Sequence, residues 1–376
     1  MTIASAVLVC SVAVLAWTWF LYPAVMVALA RLLPRVSPPD PTHWPHVSVV
    51  IASRDEPAAV SARLADVFAA DYPPSRLDVV LAIDPSSSPE RAAALFALAG
   101  DRVQVVPGDA PGGKSASVNA AVRASTGEVL VFTDTQQRFE SAAIRALVRA
   151  LLADARVTVV GGALHLPGDR PGASRSPVEW YWAGERLLRA AEARVHSTIG
   201  VSGSIYAMRA SAWVPIPAGL ILDDVFVPMQ QVLQGARVAY TLDARAWDVR
   251  RTDHESERVR KVRTLTGNFQ LMAWLPVLLV PFRNPVWLQF VSHKLLRLAS
   301  PWVALVAGLS LVALLVRMLA TVPLGWVLAA GTLVVGAVFL PPSGRRVRAL
   351  ARWVASLNGA LVQASINGVR GRWDVW

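Results

Sequence analysis

Asp134 stands near the end of the stretch EVLVFTDTQQRF, whose Val129–Phe132 run is apolar and β-branched without strong alternation. Such a run reads as a central strand buried on both faces. A carboxylate at the carboxyl end of that strand lies where open α/β sheets bind ligands, in the crevice beyond the strand ends. A lone strand-end Asp is otherwise an ordinary solvated turn residue, so its neighbours decide. Two further apolar runs also end in acids: Asp55 and Glu56 follow the first, and Asp84 opens DPSSS after the second. Asp223 and Asp224 sit together in LILDDVFVPMQQVLQG, just before an apolar helical pattern. A partly desolvated carboxylate beside a like charge can have a raised pKa and act as a base. First-turn acids also cap a helix and complement its dipole, and on local sequence alone that account is favoured.

Cations with matching chemistry occur in two places. PGGKSASVNAAV, residues 111–122, carries Lys114 after two glycines but lacks the Walker spacing. It reads either as a plain turn before a helix or as a turn that brings Lys114 and a helix amino terminus close to a phosphate. DHESERVRKVR, residues 253–263, forms a polar helix in which Arg260 and Arg263 share one face. Arginine forks suit a diphosphate, and solvated or headgroup-facing arginines are the simpler alternative.

The elements that must position these groups follow from the pattern. Strands are expected at 47–52, 77–83, 103–106 and 129–133, with helices near 57–70, 88–99, 114–125 and 140–153. That alternation is the signature of βαβ units and a parallel sheet. Beyond Gly161 the alternation weakens; 177–195 reads as a helix, Ser204–Met208 as a strand and 220–235 as a loop entering a helix.

The flanks are apolar. With 54% hydrophobic residues and a mean hydropathy of +0.43, the chain fits one soluble domain plus membrane segments. Ile3–Leu33 exceeds the roughly 20 residues a spanning helix needs and has no basic start, so it reads as an uncleaved anchor. The net charge of +11 includes Arg31, Arg35, Arg345, Arg346, Arg348 and Arg352 beside apolar runs. Retention on the cytoplasmic side explains that placement better than nucleic acid does. Pro38–Pro45 is a linker, 269–282 an interfacial or re-entrant segment, and 299–317 and 321–340 a hairpin of spans; 349–369 is read as a fourth span with its polar side facing protein. The lone Cys10 excludes a disulfide framework within one chain.

Taken in order, these stretches resemble the membrane-bound family 2 glycosyltransferases, relatives of hyaluronan, chitin and cellulose synthases. HVSVVIASRDE is similar to the family's first strand and its acid, and LDVVLAID to the second strand with its nucleotide-contacting Asp. GGKSASVNAAV resembles the Gly-Lys stretch, and VFTDTQQRFE stands at the DxD position. SGSIYAMRA resembles the acceptor-side strand, and ILDDVFVP the acidic pair whose second member is the base. RKVRTLTGNFQ stands at the QxxRW position, and SHKLLRLASPW resembles the interface segment that follows.

The resemblance implies an α/β GT-A nucleotide-diphospho-sugar transferase domain, with a Rossmann-like mixed sheet, plus transmembrane helices. The implied layout is an anchor over 1–34, a linker over 35–46, a cytoplasmic catalytic domain over 47–265, interfacial helices over 266–298 and transmembrane helices over 299–376. Implied partners are a nucleotide-diphospho-sugar, a lipid-linked or glycan acceptor and membrane lipids, with no nucleic acid, at the plasma membrane. Implied roles place Glu56, Asp84 and Lys114 at the nucleotide, and Asp134 at the sugar diphosphate through Mg²⁺ or Mn²⁺. Asp224 is then the base of an inverting transfer with Asp223 beside it, and Arg263 and Arg260 stabilise the leaving diphosphate. Gln136 replaces the second DxD acid and is a weaker ligand for a hard cation. Thr264 follows Arg263 where the motif has Trp, which withdraws support from processive synthesis. Single transfer, polymerisation and a non-catalytic nucleotide-sugar binder remain as alternatives.

Overall fold

The computed structural model describes residues 2–34, 39–169, 177–249, 254–320, 326, 332 and 343–373. They form two compact units: one from the described parts of Met1–Val25, Asp253–Gln270 and Leu288–Trp376, the other from those of Met26–Thr252 and Leu271–Trp287.

The larger unit holds an eight-stranded mixed sheet. Its strands are β1 (Val47–Ser53), β2 (Leu77–Ile83), β3 (Val103–Pro107), β4 (Val129–Phe132), β5 (Gln137–Phe139), β6 (Val157–His165), β7 (Tyr206–Arg209) and β8 (Arg237–Asp248). The spatial order is β3-β2-β1-β4-β7-β6-β8-β5. β3, β2, β1 and β4 run parallel, and β7 turns the sheet antiparallel at β4 and at β6. β1 connects to β2 on one side while β3 crosses back to β4 on the other, so the order reverses between β1 and β4. That reversal opens the crevice in which α/β sheets bind ligands.

The crossover helices are amphipathic where the sequence repeats apolar residues at helical spacing. In α6 (Ala143–Leu152), Ile144, Leu147, Val148 and Leu151 are all fully buried against the sheet. α3 (Pro57–Phe68) buries Val60, Leu64 and Val67 in the same cluster. α5 (Lys114–Ala124) packs on β1 and β2 with Ala116, Ala120 and Ala121, small residues that permit close approach. α4 (Pro89–Phe96) completes the first half, and α7 (Pro177–Val195) and α8 (Asp223–Leu233) belong to the second.

The first four strands and their helices lie where the alternation places them. The second half is more regular than the sequence suggests, because β5, β6 and β8 carry no clean strand signal. In β6, Gly161 and Gly162 stand where the alternation weakens, yet both are mid-strand. A Cβ on Gly162 would lie 2.7 Å from Ile205 Cγ1, and one on Gly161 2.9 Å from Val201 Cγ1. These glycines mark close packing over the strand rather than its end.

In the smaller unit, α1 (Ile3–Ala16) packs on α11 (Leu296–Leu319). Trp17 and Trp19 donate to Ser292 and Ser300 hydroxyls at 3.0 Å each. α12 (Ser343–Val369) buries Ser365 and Asn367, which meet Trp302 (3.3 Å) and Thr266 (3.3 Å), so this part of its polar side faces protein. Among the described residues two helical stretches are long and apolar enough to cross a membrane, Ile3–Leu32 and Trp287–Leu319. The former includes α2 (Tyr22–Leu32), and the latter begins with α10 (Trp287–Phe290). The expected span at 321–340 lies, but for two residues, outside the described residues, as does the 35–38 part of the linker. α9 (His254–Trp274) is longer than the polar helix expected over 253–263, and a short 3-10 turn, Pro276–Leu279, follows it.

Candidate functional site

Parallel pairing brings the carboxyl ends of β1, β2 and β4 to one edge of the sheet, with Ser53 opposite Ile83 and Val50 opposite Phe132. Asp84 leaves β2 there, 8% exposed. Its Oδ1 accepts the Ser86 amide (2.9 Å) and its Oδ2 the Gly113 amide (3.0 Å). Burial alone pushes this carboxyl up, but hydrogen bonds from Ser86 and Gly113 and the charge of Arg54 outweigh it and hold Asp84 below its ordinary value.

Gly113 reaches Asp84 because Gly112 and Gly113 take φ of +101° and +90°, a region that side chains other than hydrogen avoid. The turn delivers Lys114, the first residue of α5, into the crevice. Lys114 Nζ donates to Asp134 Oδ1 at 3.0 Å, and the Ser204 hydroxyl donates to Asp134 Oδ2 at 3.2 Å. Ser204 stands just before β7, next to Gly203, whose amide donates to Asp224 Oδ2 at 3.1 Å. A Cβ on Gly203 would sit at an ordinary 3.5 Å from both Asp224 Oδ2 and Lys114 Nζ, so both groups border this glycine. Burial lowers the Lys114 pKa, yet Asp134, Asp223 and Asp224 together raise it well above the ordinary lysine range. The ammonium therefore stays charged at neutral pH, paired with Asp134 and in the field of Asp223 and Asp224.

Asp223 and Asp224 occupy the first turn of α8, and Leu222 rather than either acid precedes the helix. Asp223 is buried, at 9% exposed. Beneath them Tyr206 stacks on Phe132 (4.4 Å, 6°), and Phe132 stacks on Trp213 (5.3 Å, 18°), forming a stiff apolar floor.

The other residues singled out in the sequence are placed differently. Glu56 follows β1 but is ion-paired with Arg91 on α4. Gln136 is half-buried two residues beyond Asp134. Arg260 and Arg263 lie on α9 in the smaller unit, Arg260 exposed and Arg263 partly so.

Sequence reasoning missed Ser204 and the Gly203 amide, whose only signal was the glycine-flanked SGS. It also missed Arg63, fully buried on α3, which donates to Thr133 Oγ1 (2.9 Å), pairs with Asp66 and lies 4.1 Å over the Phe139 ring. Burial lowers this guanidinium to about 9, Arg138 adding to the effect and Asp134 opposing it. Arg63 braces both ends of the DTQQRF segment. No alternation pattern marks it, since it occupies a core-facing position on a helix.

No group of three or more His, Cys, Asp or Glu side chains with metal-binding proximity occurs among the described residues. Asp134 and Gln136 provide at most three side-chain oxygens at the crevice, and both of those on Asp134 already accept hydrogen bonds, from Lys114 and Ser204. A divalent ion there would need the ligand's own oxygens to complete its shell.

Residues 45–267 match the family described as Glycosyltransferase like family 2. Among solved structures, the mannosyltransferase PcManGT from Pyrobaculum calidifontis, in complex with GDP-Man and Mn²⁺, superposes with a TM-score of 0.68 at 22% identity, covering 96% of this chain and 99% of that one. GalNAc-T7 with UDP, GalNAc and Mn²⁺ matches at a TM-score of 0.45 and 12% identity, over 60% of this chain and 52% of the other. No curated protein sequence matches.

Proposed function

The chain belongs to the glycosyltransferase-like family 2 and has the GT-A fold, and from that membership we propose that it moves a sugar, with inversion, from a nucleotide-diphospho-sugar to a hydroxyl of a lipid-linked or membrane-proximal glycan. What supports the reading is the holding of two carboxylates by neighbouring groups, Asp134 beyond the end of β4 by Lys114 and Ser204, and Asp224 in the first turn of α8 by the adjacent Gly203 amide.

Asp84 and Glu56, which follow β2 and β1, serve the nucleotide, and Lys114 draws in the diphosphate. Asp134 faces the sugar diphosphate, and Asp224 is the base, with Asp223 beside it keeping Lys114 charged. The acceptor oxygen bonds to the anomeric carbon as the bond from that carbon to the diphosphate oxygen breaks. The electron pair leaves with the nucleoside diphosphate, and the acceptor's proton passes to Asp224. Cationic groups that meet the developing charge on the leaving group lower the barrier. Lys114 is one, and Arg260 and Arg263, one turn apart on α9, are the others proposed. A Mg²⁺ or Mn²⁺ ion, held by Asp134 and Gln136 jointly with the donor, would neutralise further diphosphate charge. Mn²⁺ accompanies GDP-Man in the Pyrobaculum neighbour, which supports that cofactor.

The protein is proposed to be a multi-pass protein of the plasma membrane with its catalytic domain on the cytoplasmic side, the two long apolar helices supporting the attachment. The 47–265 catalytic segment, the 266–298 interfacial segment and the 299–376 spans are kept as the proposed layout.

The test is release of nucleoside diphosphate from a panel of nucleotide sugars, GDP-mannose included, in membranes with Mg²⁺ or Mn²⁺ and with chelator. Turnover is expected to fall by about 10²–10⁴-fold in Asp224→Asn while donor binding persists. Donor binding without release by the unaltered protein would replace the reading with that of a non-catalytic nucleotide-sugar binder.

A further inference from the structure

Asp134 projects from residues 133–136, the short stretch between the end of β4 and the start of β5, and is flanked by two buried threonines. Each threonine hydroxyl is tied to a different element. That of Thr133 accepts from Arg63 Nη2 on α3 at 2.9 Å and donates to the Asp134 carbonyl at 3.2 Å. That of Thr135 donates to Ser53 Oγ, at the end of β1, at 3.0 Å, and the Thr135 carbonyl accepts from Arg138 Nη1 at 3.0 Å. Asp134 is thus suspended between two fixed points, one on α3 and one on β1.

Arg63 sets the direction of the first tie. A guanidinium only donates, so the Thr133 hydroxyl that accepts from it has its single proton left for the Asp134 carbonyl. Packing alone gives no reason for a guanidinium at this place. Burying an ion pair costs desolvation that an apolar side chain of similar volume would avoid, and the fully buried Arg63 leaves its Nε without a hydrogen-bond partner among the described residues. Its other contacts lead to the same segment: it pairs with Asp66, whose Oδ2 accepts the Phe139 amide at 3.1 Å, and it lies over the Phe139 ring. Burial and Arg138 lower its pKa and Asp134 raises it, so the carboxylate that it braces lies within its field.

We propose that Arg63 and Ser53 are positioning residues for the transfer, acting through Thr133 and Thr135 to fix the peptide on either side of Asp134 and so the angle at which its carboxylate meets the sugar diphosphate. The inference rests on the transferase reading above and adds to it two residues that act from behind the crevice. A reacting group misplaced by about 1 Å loses roughly 10²-fold in rate, so a tie that only orients is read in turnover per folded molecule.

The test compares Thr133→Val and Thr135→Val, which remove a hydroxyl with little change of shape, with Thr133→Ser and Thr135→Ser, which keep it. All are measured on the full chain in detergent, at a temperature where melting curves show each variant folded. One readout is release of nucleoside diphosphate at saturating donor from the nucleotide-sugar panel; the other is affinity for GDP and UDP with Mn²⁺ and with chelator. Release per folded molecule is expected to fall about tenfold or more in each Val variant and to stay within about threefold in each Ser variant. Affinity in chelator should be the same in all, because Asp84 and its loop are untouched, while the gain from Mn²⁺ shrinks in the Val variants alone. Arg63→Met, where it folds, should lose as much release as Thr133→Val, and combining the two should add nothing. Equal release in Val and Ser variants, whether all retained or all lost, overturns the proposal, as does a folded Arg63→Met with full turnover. An unaltered protein that binds nucleotide but releases none removes the transferase reading instead, and the positioning role then stands or falls on whether the Mn²⁺ gain is lost in the Val variants only.

Discussion

Lys114 illustrates how little of a site is visible at one residue. Its raised pKa depends on carboxylates 20, 109 and 110 positions away in the chain, which only the fold assembles. Asp84 gives the clearest test at this scale. Its pKa in the folded chain lies below the ordinary 3.8. A depressed carboxylate contributes stability that is fully present above the unfolded value and is lost as pH falls through the folded one. Asp84→Asn is therefore expected to lower the melting temperature at pH 7, and the gap from the unaltered protein should close as pH falls below about 4. Melting curves of the two proteins from pH 7 to pH 3 check this; a gap constant across that range would show that the ionised carboxylate contributes nothing.

At the scale of elements, two glycines, one at the amino end of β4 and one at the crevice, have different jobs. Gly127 leads into β4 and lies against β1, where an added Cβ would be 2.4 Å from the Ser48 amide nitrogen and 2.8 Å from its hydroxyl. The strands must part to admit it. Gly127→Ala is expected to cost about 1–3 kcal/mol, the usual range for overpacking. Gly203→Ala meets only ordinary contacts of 3.5 Å with Asp224 and Lys114, so its melting temperature should stay within a degree or two of the unaltered protein, about what a surface-like change of under 0.5 kcal/mol produces. Thermal melts of the pair decide whether strand spacing or crevice spacing is the tighter constraint, and equal losses would remove the distinction.

At the scale of the whole molecule, the apolar flanks set behaviour. Ile3–Leu32 and Trp287–Leu319 bury only 11% and 6% of their most apolar windows within the protein. Leu305, Leu309, Val312 and Val316 of α11 remain 44–62% exposed across that face, counting Val306 with them. Leaving so much apolar surface in water is costly, at roughly 25 cal/mol per Å². The chain is expected to sediment with membranes and to stay there through high-salt and alkaline-carbonate washes, being released by detergent alone. Release by salt would mean that arginines on a lipid surface, rather than inserted helices, hold it.

The first half of the sheet was legible in the sequence because parallel strands buried on both faces must be nearly continuous apolar runs, as Val47–Ser53, Leu77–Ile83 and Val129–Phe132 are. The strand-end acids Asp84 and Asp134 were legible with them, since their place follows from where each run stops. β6 and β8 were not, because Gly161 and Gly162 satisfy a packing constraint set by Val201 and Ile205, and because half-exposed β8 alternates weakly. Which donors hold each carboxylate was equally hidden. Ser204, Gly203 and Arg63 are ordinary residues locally, and their roles arise from distances across the fold. Local sequence thus determined the elements and the edge at which a ligand could bind, through propensity and burial period. Tertiary packing decided the partners, because hydrogen bonds and charges act over a few ångströms of space, whatever the separation along the chain.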